Sequence, residues 1–282
     1  MRFQSLSSVS LAELTQTFNE AFSDYFVPLR LSEEAMAVKL RSESIDLRYS
    51  IGAFEESQLK GFILHGIDTW SGQKAVYNAG TGVVPAYRGQ GLTRQLYGAI
   101  VPLLKAEGMV QHQLEVIEQN APAIRVYEKV GFTRTRSLSC FKGRVEGVVN
   151  PELSLVEVTI PDFQAYKGYW SFTPTWQNDT PAIQLAQDVH KIVELRKDGE
   201  RIAYAIIAPA SGRVKQYAVH PQYRRKGYGL QLFQYLCQAN EGRDVILINV
   251  DDSDTASQDF FKSIGFQRFL GLWEMRYRCK EG

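Results

Sequence analysis

Apolar and polar positions follow two rhythms along this chain, and the order of those rhythms is run through twice. In the first half, "LAELTQTFNEAF" and "SEEAMAVKLRS" carry apolar residues at helical spacing, with Ser32 placed to cap the second. "YSIGAFE", "LKGFILHGI" and "KAVYNAGTGVV" have the short period of strands and are parted by polar turns. Gly80 and Gly82 in the last of these predict a bulge or an opening of the backbone. Leu92, Leu96, Ile100, Leu103 and Leu104 share one face of a helix running from about Gly91 to Glu107. "HQLEVI" then reads as a strand, "NAPAIRVYEKVG" as a short helix and "FTRTRSLSCFK" as a strand.

"GRVEGVVNPE", which holds Gly143, Gly147, Asn150 and Pro151, is the natural boundary and predicts domains at 1–146 and 150–282. The second half repeats the plan in shorter form. "ELSLVEVTI", "HKIVELRK", "ERIAYAIIA" and "RVKQYAV" read as strands, and a helix covers Gly227 to Ala239. "DVILINV", "TASQDFFKSIG" and "FQRFLGLWEMRYR" complete it, while "GYWSFTPTWQNDTPA" at 168–182 has no period and reads as loop. The stretch "VVPAYRGQGLTRQLY" at 83–97 lies over "VHPQYRRKGYGLQLF" at 219–233 with a constant offset: Arg224 minus Arg88 is 136, as is Gly227 minus Gly91. A repeat of that length is a duplicated domain.

Composition narrows the function classes. With 282 residues, 44% apolar and 22% charged, the chain reads as an ordinary soluble globular protein of one large or two medium domains. A net charge of +1 offers no global field to nucleic acid or an anionic membrane, so "YRRKGYG" is too short a basic patch to suggest either partner. Cys140, Cys237 and Cys279 are odd in number and unpaired in spacing, which argues against a disulfide framework and against a metal site. They are expected as buried fillers in a reducing compartment. The first residues have no sustained apolar run and no stretch reaches membrane-span length, so the expected location is cytoplasmic.

The repeated stretch carries the chemistry. A strand, then Arg-x-x-Gly at a turn, then an amphipathic helix is a device for holding phosphate, because the first amides of a helix lack intrahelical partners and stand at its positive end. Arg88, Gly89, Gln90 and Gly91 supply it once; Arg224, Arg225, Lys226, Gly227, Tyr228 and Gly229 supply it again. Neither copy has the Gly-Lys-Ser/Thr of a nucleotide-triphosphatase loop or the third glycine of a dinucleotide fingerprint. A plain glycine turn with solvated arginines is the competing reading, and its occurrence twice in one context tells against it.

These loops resemble the pyrophosphate loop of the GNAT acyltransferases, and Asn120, Ala123, Tyr127, Gly131 and Phe132 match the family's Asn-x-x-Ala-x-x-x-Tyr-x-x-x-Gly-Phe segment. The resemblance implies an α/β (α+β) fold: two tandem GNAT-like domains, each a mixed, mostly antiparallel sheet flanked by helices. It implies acetyl-CoA as co-substrate, without a metal, held by Gly82, Val83, Val84, Arg88, Gly89, Gln90, Gly91, Leu92, Thr93 and Asn120, although Thr93 stands where the family has Gly or Ala. It further implies an amine acceptor, small molecule or peptide, that attacks directly in a ternary complex. An amide near Gly82 to Val84 would meet the thioester carbonyl, and Tyr127 would protonate the leaving thiolate. Glu115 matches a strand glutamate that serves some relatives as base; a solvated strand carboxylate is the other reading, and Glu118 and His112 are weaker candidates. Phe22, Tyr25 and Phe26 are expected either at the acceptor or in the core.

Aligning the second copy from Gly265 and Phe266 turns the tyrosine position into Phe261, the asparagine into Asp254, the alanine into Ser257 and the glutamate into Asn249. The expectation is therefore a catalytic N-terminal domain and a degenerate C-terminal one that still has a loop for coenzyme A. Catalysis in the second domain, or a coenzyme A-binding sensor or scaffold without turnover, remain the open alternatives. The protein is expected as a monomer or homodimer.

Overall fold

The computed structural model describes residues 1–70, 72–148, 150–241 and 243–279. In chain order the elements are β1 (Arg2–Ser5), α1 (Leu11–Ala21), α2 (Glu33–Ser42), β2 (Ile51–Glu55), β3 (Gln58–Trp70), β4 (Gln73–Val83), α3 (Leu92–Ala106), β5 (Gln111–Ile117), α4 (Ala121–Val130) and β6 (Thr133–Gly143). There follow β7 (Leu153–Glu157), α5 (Phe163–Lys167), α6 (Thr180–Gln184), β8 (Lys191–Lys197), β9 (Glu200–Ala208), β10 (Arg213–Val219), α7 (Tyr228–Ala239), β11 (Val245–Asp251), α8 (Thr255–Ser263) and β12 (Gln267–Arg278). The chain forms two compact units, one of Met1–Thr135 with the stretch from Glu274 onward, the other of Arg136–Trp273.

In the first unit, β1 to β4 run antiparallel in sequence order, and β4 then meets β5 in parallel by way of α3. That parallel ladder is short. Ala75–Tyr77 pair with Gln111–Gln113 and the strands part beyond, while β4 stays on β3 as far as Val83 opposite Gly61. A bulge at Ala79 sets Gly80 opposite Leu64 and Asn78 opposite His65, as the paired glycines predicted. Because alternate strand residues face opposite ways, Tyr77, Gly80 and Gly82 look to one face of the sheet, and Asn78 and Thr81 to the other. α1 covers the first face with Phe18 and Ala21; α3 covers the second with Tyr97. The α3 core side is Leu92, Leu96, Ile100 and Leu104, whereas Leu103, assigned to that face by its spacing, is 60% exposed.

Gly82 is required by contact rather than by backbone angle. A Cβ there would stand 2.6 Å from the Phe62 ring and 2.9 Å from Ala21. Gly82→Ala is expected to cost about 1–3 kcal/mol through overpacking; an unchanged urea midpoint would refute this reading of the contact.

The second unit repeats the plan. β7, β8, β9 and β10 are antiparallel, and β10 runs parallel to β11 only where Arg213 and Val214 meet Ile246 and Leu247. Its ladder shift falls between Val214 and Gln216, leaving Lys215 unpaired at the place of Ala79, again 136 residues on. Two cores flank this sheet. Phe233, Phe261 and Leu232 gather on the α7 side, and Tyr166, Tyr169, Tyr204 and Ile183 on the other. Residues 168–182, expected as loop, include a single 3-10 turn over Trp176–Asn178 and the start of α6, whose first amide is capped by Asp179.

The units do not coincide with a cut between 146 and 150. The strand next to β5 in the first unit is the end of β12, from Glu274 on; the strand next to β11 in the second is β6, from Arg136 on. Each unit thus takes its last strand from the opposite end of the duplication. The three cysteines are buried and unbridged. Among the described residues no helix is long and apolar enough to cross a membrane.

Candidate active site

The first glycine loop ends in a helix start that no side chain of the described residues caps. Gly89 and Gly91 adopt left-handed angles, φ 76° and 71°, and Gly91 serves as the N-cap of α3 without a side-chain bond. By contrast α1, α2 and α4 are each capped by a side chain, of Ser10, Ser32 and Asn120. The amides of Leu92, Thr93 and Arg94 are accordingly without intrahelical partners, at the positive end of α3. Asn120, expected at the cofactor, holds the Ala123 amide at 3.2 Å as that cap.

Arg88, expected at the cofactor, is engaged with the first unit's own chain. Its guanidinium donates to both oxygens of Asp24 (2.6 and 2.7 Å), to the Ala21 carbonyl (2.9 Å) and to the Val83 carbonyl (3.1 Å). The arginine ties the loop to the end of α1, and its hydrogen bonds hold the Asp24 carboxyl below its ordinary range. Nothing in the sequence near Arg88 signals a partner 64 residues away.

Where β4 and β5 part, polar groups line both faces. The Val84 amide donates to the Lys60 carbonyl at 3.0 Å, so by the alternation of an antiparallel strand the Val83 amide faces the gap. On the α3 side, Asn78 donates to the Thr81 hydroxyl (2.8 Å) and to the Tyr97 hydroxyl (2.6 Å), while its carbonyl oxygen accepts from the Gly80 amide (3.0 Å). Tyr127, 8% exposed, packs edge-on against Tyr97 with centroids 6.1 Å apart. Burial pushes its phenol up to about 12; the neighbouring Thr81 and Asn78 side chains pull the other way, and the nearby Tyr25 adds to the rise. It is a phenol that keeps its proton at neutral pH.

On the α1 face, Tyr77 donates to Glu115 at 2.5 Å. Glu115 is therefore clasped rather than solvated, and lies on the opposite side of the sheet from Tyr127. Phe18, Phe22, Tyr25 and Phe26 form a run of ring contacts with centroids 4.6, 5.0 and 5.4 Å apart. Phe26 is 54% exposed, while burial raises the Tyr25 phenol and Asn120 opposes the rise. His112 is buried against the Met109 carbonyl at 3.1 Å, and burial lowers it to about 4, which leaves it neutral and structural. Glu118 stands just past the end of β5, on the side where the ladder has parted. Among the described residues no group of three or more His, Cys, Asp or Glu is arranged to hold a metal ion.

The second unit keeps the loop and changes the rest. Gly227 caps α7 with φ 83°, and Arg225 takes the left-handed place of Gly89 with φ 62°. Arg224 bonds the Val219 carbonyl (3.1 Å) and the Tyr169 carbonyl (2.6 Å), as Arg88 bonds Val83 and Ala21. Lys226 lies over the Tyr223 ring at 5.3 Å. At Gly229, two residues past that cap, a Cβ would come within 3.2 Å of the Phe260 ring, tighter than ordinary contact. Of the polar set only a hydroxyl at the Thr81 place is kept. Asn78, Thr81, Tyr97 and Tyr127 are matched by Val214, Tyr217, Phe233 and Phe261, the last with no exposure and stacked among Phe141, Phe233 and Phe266.

The far face of that second gap is tied shut by its own chain. Gln216 on β10 donates to the Asn178 carbonyl (2.7 Å), Asn178 donates to the Ile248 carbonyl on β11 (3.0 Å), and Asn249 donates to the Thr175 hydroxyl (2.9 Å). A cavity of about 30 Å³ remains, lined by Trp170, Tyr204, Gln216, Tyr217 and Asn249 among others. Asn78, Thr81, Tyr97 and Tyr77 were not anticipated from sequence. Comparing the two copies position by position would have flagged Asn78 and Tyr97, whose polar groups are lost together.

The model of the "Acetyltransferase (GNAT) family" matches residues 11–132 and again 155–266. A tandem GNAT protein from the clavulanic acid biosynthesis pathway superposes with a TM-score of 0.75 at 12% identity, covering 100% of this chain and 99% of that one. A GCN5-related N-acetyltransferase from Sphaerobacter thermophilus gives 0.71 at 15% identity, covering 100% and 96%. Among curated proteins, a mycothiol acetyltransferase of Streptosporangium roseum is 53% identical over 53 residues, a match spanning 19% of this chain and 16% of that relative. Matched in both halves and over most of its length, the chain belongs to the GNAT acetyltransferase family as a tandem member.

Proposed function

We propose that the first unit carries the chemistry, moving an acetyl group from acetyl-CoA to an amine, and that the second is a degenerate copy. The observation that carries this reading is the pair Tyr127 and Phe261: equivalent places beside equivalent gaps, one with a proton to give and one without. Acetyl-CoA supplies an activated acyl group on a thiol leaving group. The uncapped start of α3 suits its pyrophosphate, and the Val83 amide suits the thioester carbonyl as negative charge develops there. Glu115 takes a proton from the attacking amine on the α1 face, and Tyr127 gives one to the departing thiolate from the α3 face. Two faces for two substrates is the arrangement that direct attack in a ternary complex requires. Phe22, Tyr25 and Phe26 border the amine's side.

The test is titration calorimetry of acetyl-CoA, with thiol release measured over a peptide N-terminus, a polyamine and an amino sugar. One site per chain is expected, lost in Gly91→Val, whose side chain would be forced into a left-handed backbone, and retained in Gly227→Val. One site lost with Gly227→Val alone would reverse the assignment.

A second reading draws on Tyr217, a hydroxyl retained in the second gap, raised by burial with Ser257 opposing, and on the cavity beside it. It gives the C-terminal unit a coenzyme A site of its own, and two sites per chain in the same titration would favour it.

A further inference from the structure

The chain between α1 and α2, residues 22–32, forms neither helix nor strand, yet it carries the aromatic run that borders the amine's side. Two polar clamps hold it. At its far end Asn19 of α1 takes both main-chain groups of Leu31: the side-chain nitrogen donates to the Leu31 carbonyl (2.9 Å), and the side-chain oxygen accepts from the Leu31 amide (2.8 Å). At its near end the clamp is Asp24, whose two oxygens accept from the two terminal nitrogens of Arg88 at 2.6 and 2.7 Å. The same guanidinium donates to the Val83 carbonyl at the end of β4 (3.1 Å) and to the Ala21 carbonyl at the end of α1 (2.9 Å). A paired fork of N–H bonds onto a carboxylate fixes angle as well as distance, so the chain at Tyr25, the next residue, is held in a set relation to the strand whose Val83 amide faces the gap. We propose that Asp24 is a positioning residue for the acceptor: through Arg88 it fastens the Tyr25–Phe26 part of the loop to the end of β4, beside the place where the amine attacks.

This deepens the reading that the first unit carries the chemistry, and rests on it. An exposed ion pair by itself is worth little, and the Asp24 and Arg88 side chains are 58% and 40% exposed. The weight of this one comes from its geometry: it is bidentate, and the arginine's other bonds are spent on two main-chain carbonyls, so the guanidinium is anchored before it meets the carboxylate. The other hydrogen bonds of the stretch, from the Ser23 hydroxyl to the Glu20 carbonyl and from the Tyr25 amide to the Phe22 carbonyl, stay within the turn and reach no strand. The duplication provides an internal comparison. In the second unit Arg224 keeps both carbonyl bonds, to Val219 and Tyr169, but three residues past Tyr169 stands Phe172, where three residues past Ala21 stands Asp24. Ser171 there donates to Asp254, ahead of α8, at 2.7 Å. The arginine's hold on main-chain carbonyls is common to both copies, and the carboxylate clamp belongs to the copy with the proposed chemistry.

Hydrogen exchange of the full chain tests the clamp without any acceptor. In Asp24→Ala the bonded amides of Phe22, Ser23 and Tyr25 should exchange about tenfold faster than in the parent, with the amides of α3 unchanged. Asp24→Glu, which keeps the carboxylate at an exposed position, should lie nearer the parent. Thiol release from acetyl-CoA is then followed over a peptide N-terminus, a polyamine and an amino sugar. For whichever of the three turns over fastest, Asp24→Ala should raise KM for the amine about tenfold and leave KM for acetyl-CoA unchanged. Exchange unmoved in Asp24→Ala, exchange raised equally in Asp24→Glu, or a KM raised for acetyl-CoA in place of the amine would each overturn the positioning role. A calorimetric site lost with Gly227→Val alone would instead overturn the placing of chemistry in the first unit, and the role of Asp24 would fall with it even where the exchange result holds.

Discussion

Tyr127→Phe is expected to lower kcat by about 10²–10⁴-fold, the usual contribution of a positioned general acid, with little change in KM for acetyl-CoA. The phenol matters when charge appears on the departing sulfur, so its loss belongs to the transition state and leaves ground-state binding intact. Two features make the experiment clean. The protein has already accommodated this replacement, since Phe261 fills the equivalent place with no exposure, and a folding failure is not expected. The phenol is also raised to about 12, so it remains protonated throughout the neutral range, and no fall in rate on the alkaline side should trace to Tyr127 until pH approaches that value. A parent-like kcat in Tyr127→Phe would end the proposal. The reverse change, Phe261→Tyr, should create no activity, because the second copy has Asn249 where the first has the carboxylate of Glu115.

Mild acid should destabilise the first unit steeply. Burial lowers His65 to about 3 and His112 to about 4, from 6.5 in the unfolded chain. The folded state therefore holds both rings neutral, and their contribution is fully present above pH 6.5 and is lost as pH falls toward the folded values. His65 gives its Nδ1 proton to the Tyr49 carbonyl at 2.8 Å, and its Nε2 has no partner to receive a second proton. Each unit of pH below the unfolded value costs about 1.4 kcal/mol per ring, so by pH 4 the two together remove up to about 7 kcal/mol, as much as many domains possess. His190 in the second unit is shifted in the same direction, to about 4, so neither unit is exempt. Urea midpoints followed from pH 7 downward should fall steeply in the parent and less steeply in His65→Gln, whose amide can still donate to Tyr49. Equal slopes in the two proteins would remove His65 from the account.

Much of this was legible in the residues. The constant offset in "VVPAYRGQGLTRQLY" and "VHPQYRRKGYGLQLF" located two equivalent helix starts, and Gly80 beside Gly82 signalled the bulge. These features are local, set by residues a few positions apart. What escaped was set at a distance. Arg88 finds Asp24 across 64 residues, and Glu115 finds Tyr77 across 38, so neither partnership leaves a spacing to read. Residues 168–182 lack a period because Thr175 and Asn178 are held by bonds to strands distant in sequence, not by one buried face of a helix. Tyr97 reads as one more apolar residue on an amphipathic helix; only its bond to Asn78 shows that its hydroxyl counts.

The exchange of last strands bears on how such a protein can change over generations. A gene duplication is ordinarily reversible: if one copy loses its use, deletion removes it without penalty. Here a deletion of the second copy would also take away the stretch from Glu274 onward that completes the sheet of the first, leaving the outer edge of β5 bare. Selection to keep the first copy folded is then enough to keep the second, whatever its own sites have become. Asn78, Thr81, Tyr97 and Tyr127 could drift to Val214, Tyr217, Phe233 and Phe261 in the copy without the copy itself being shed.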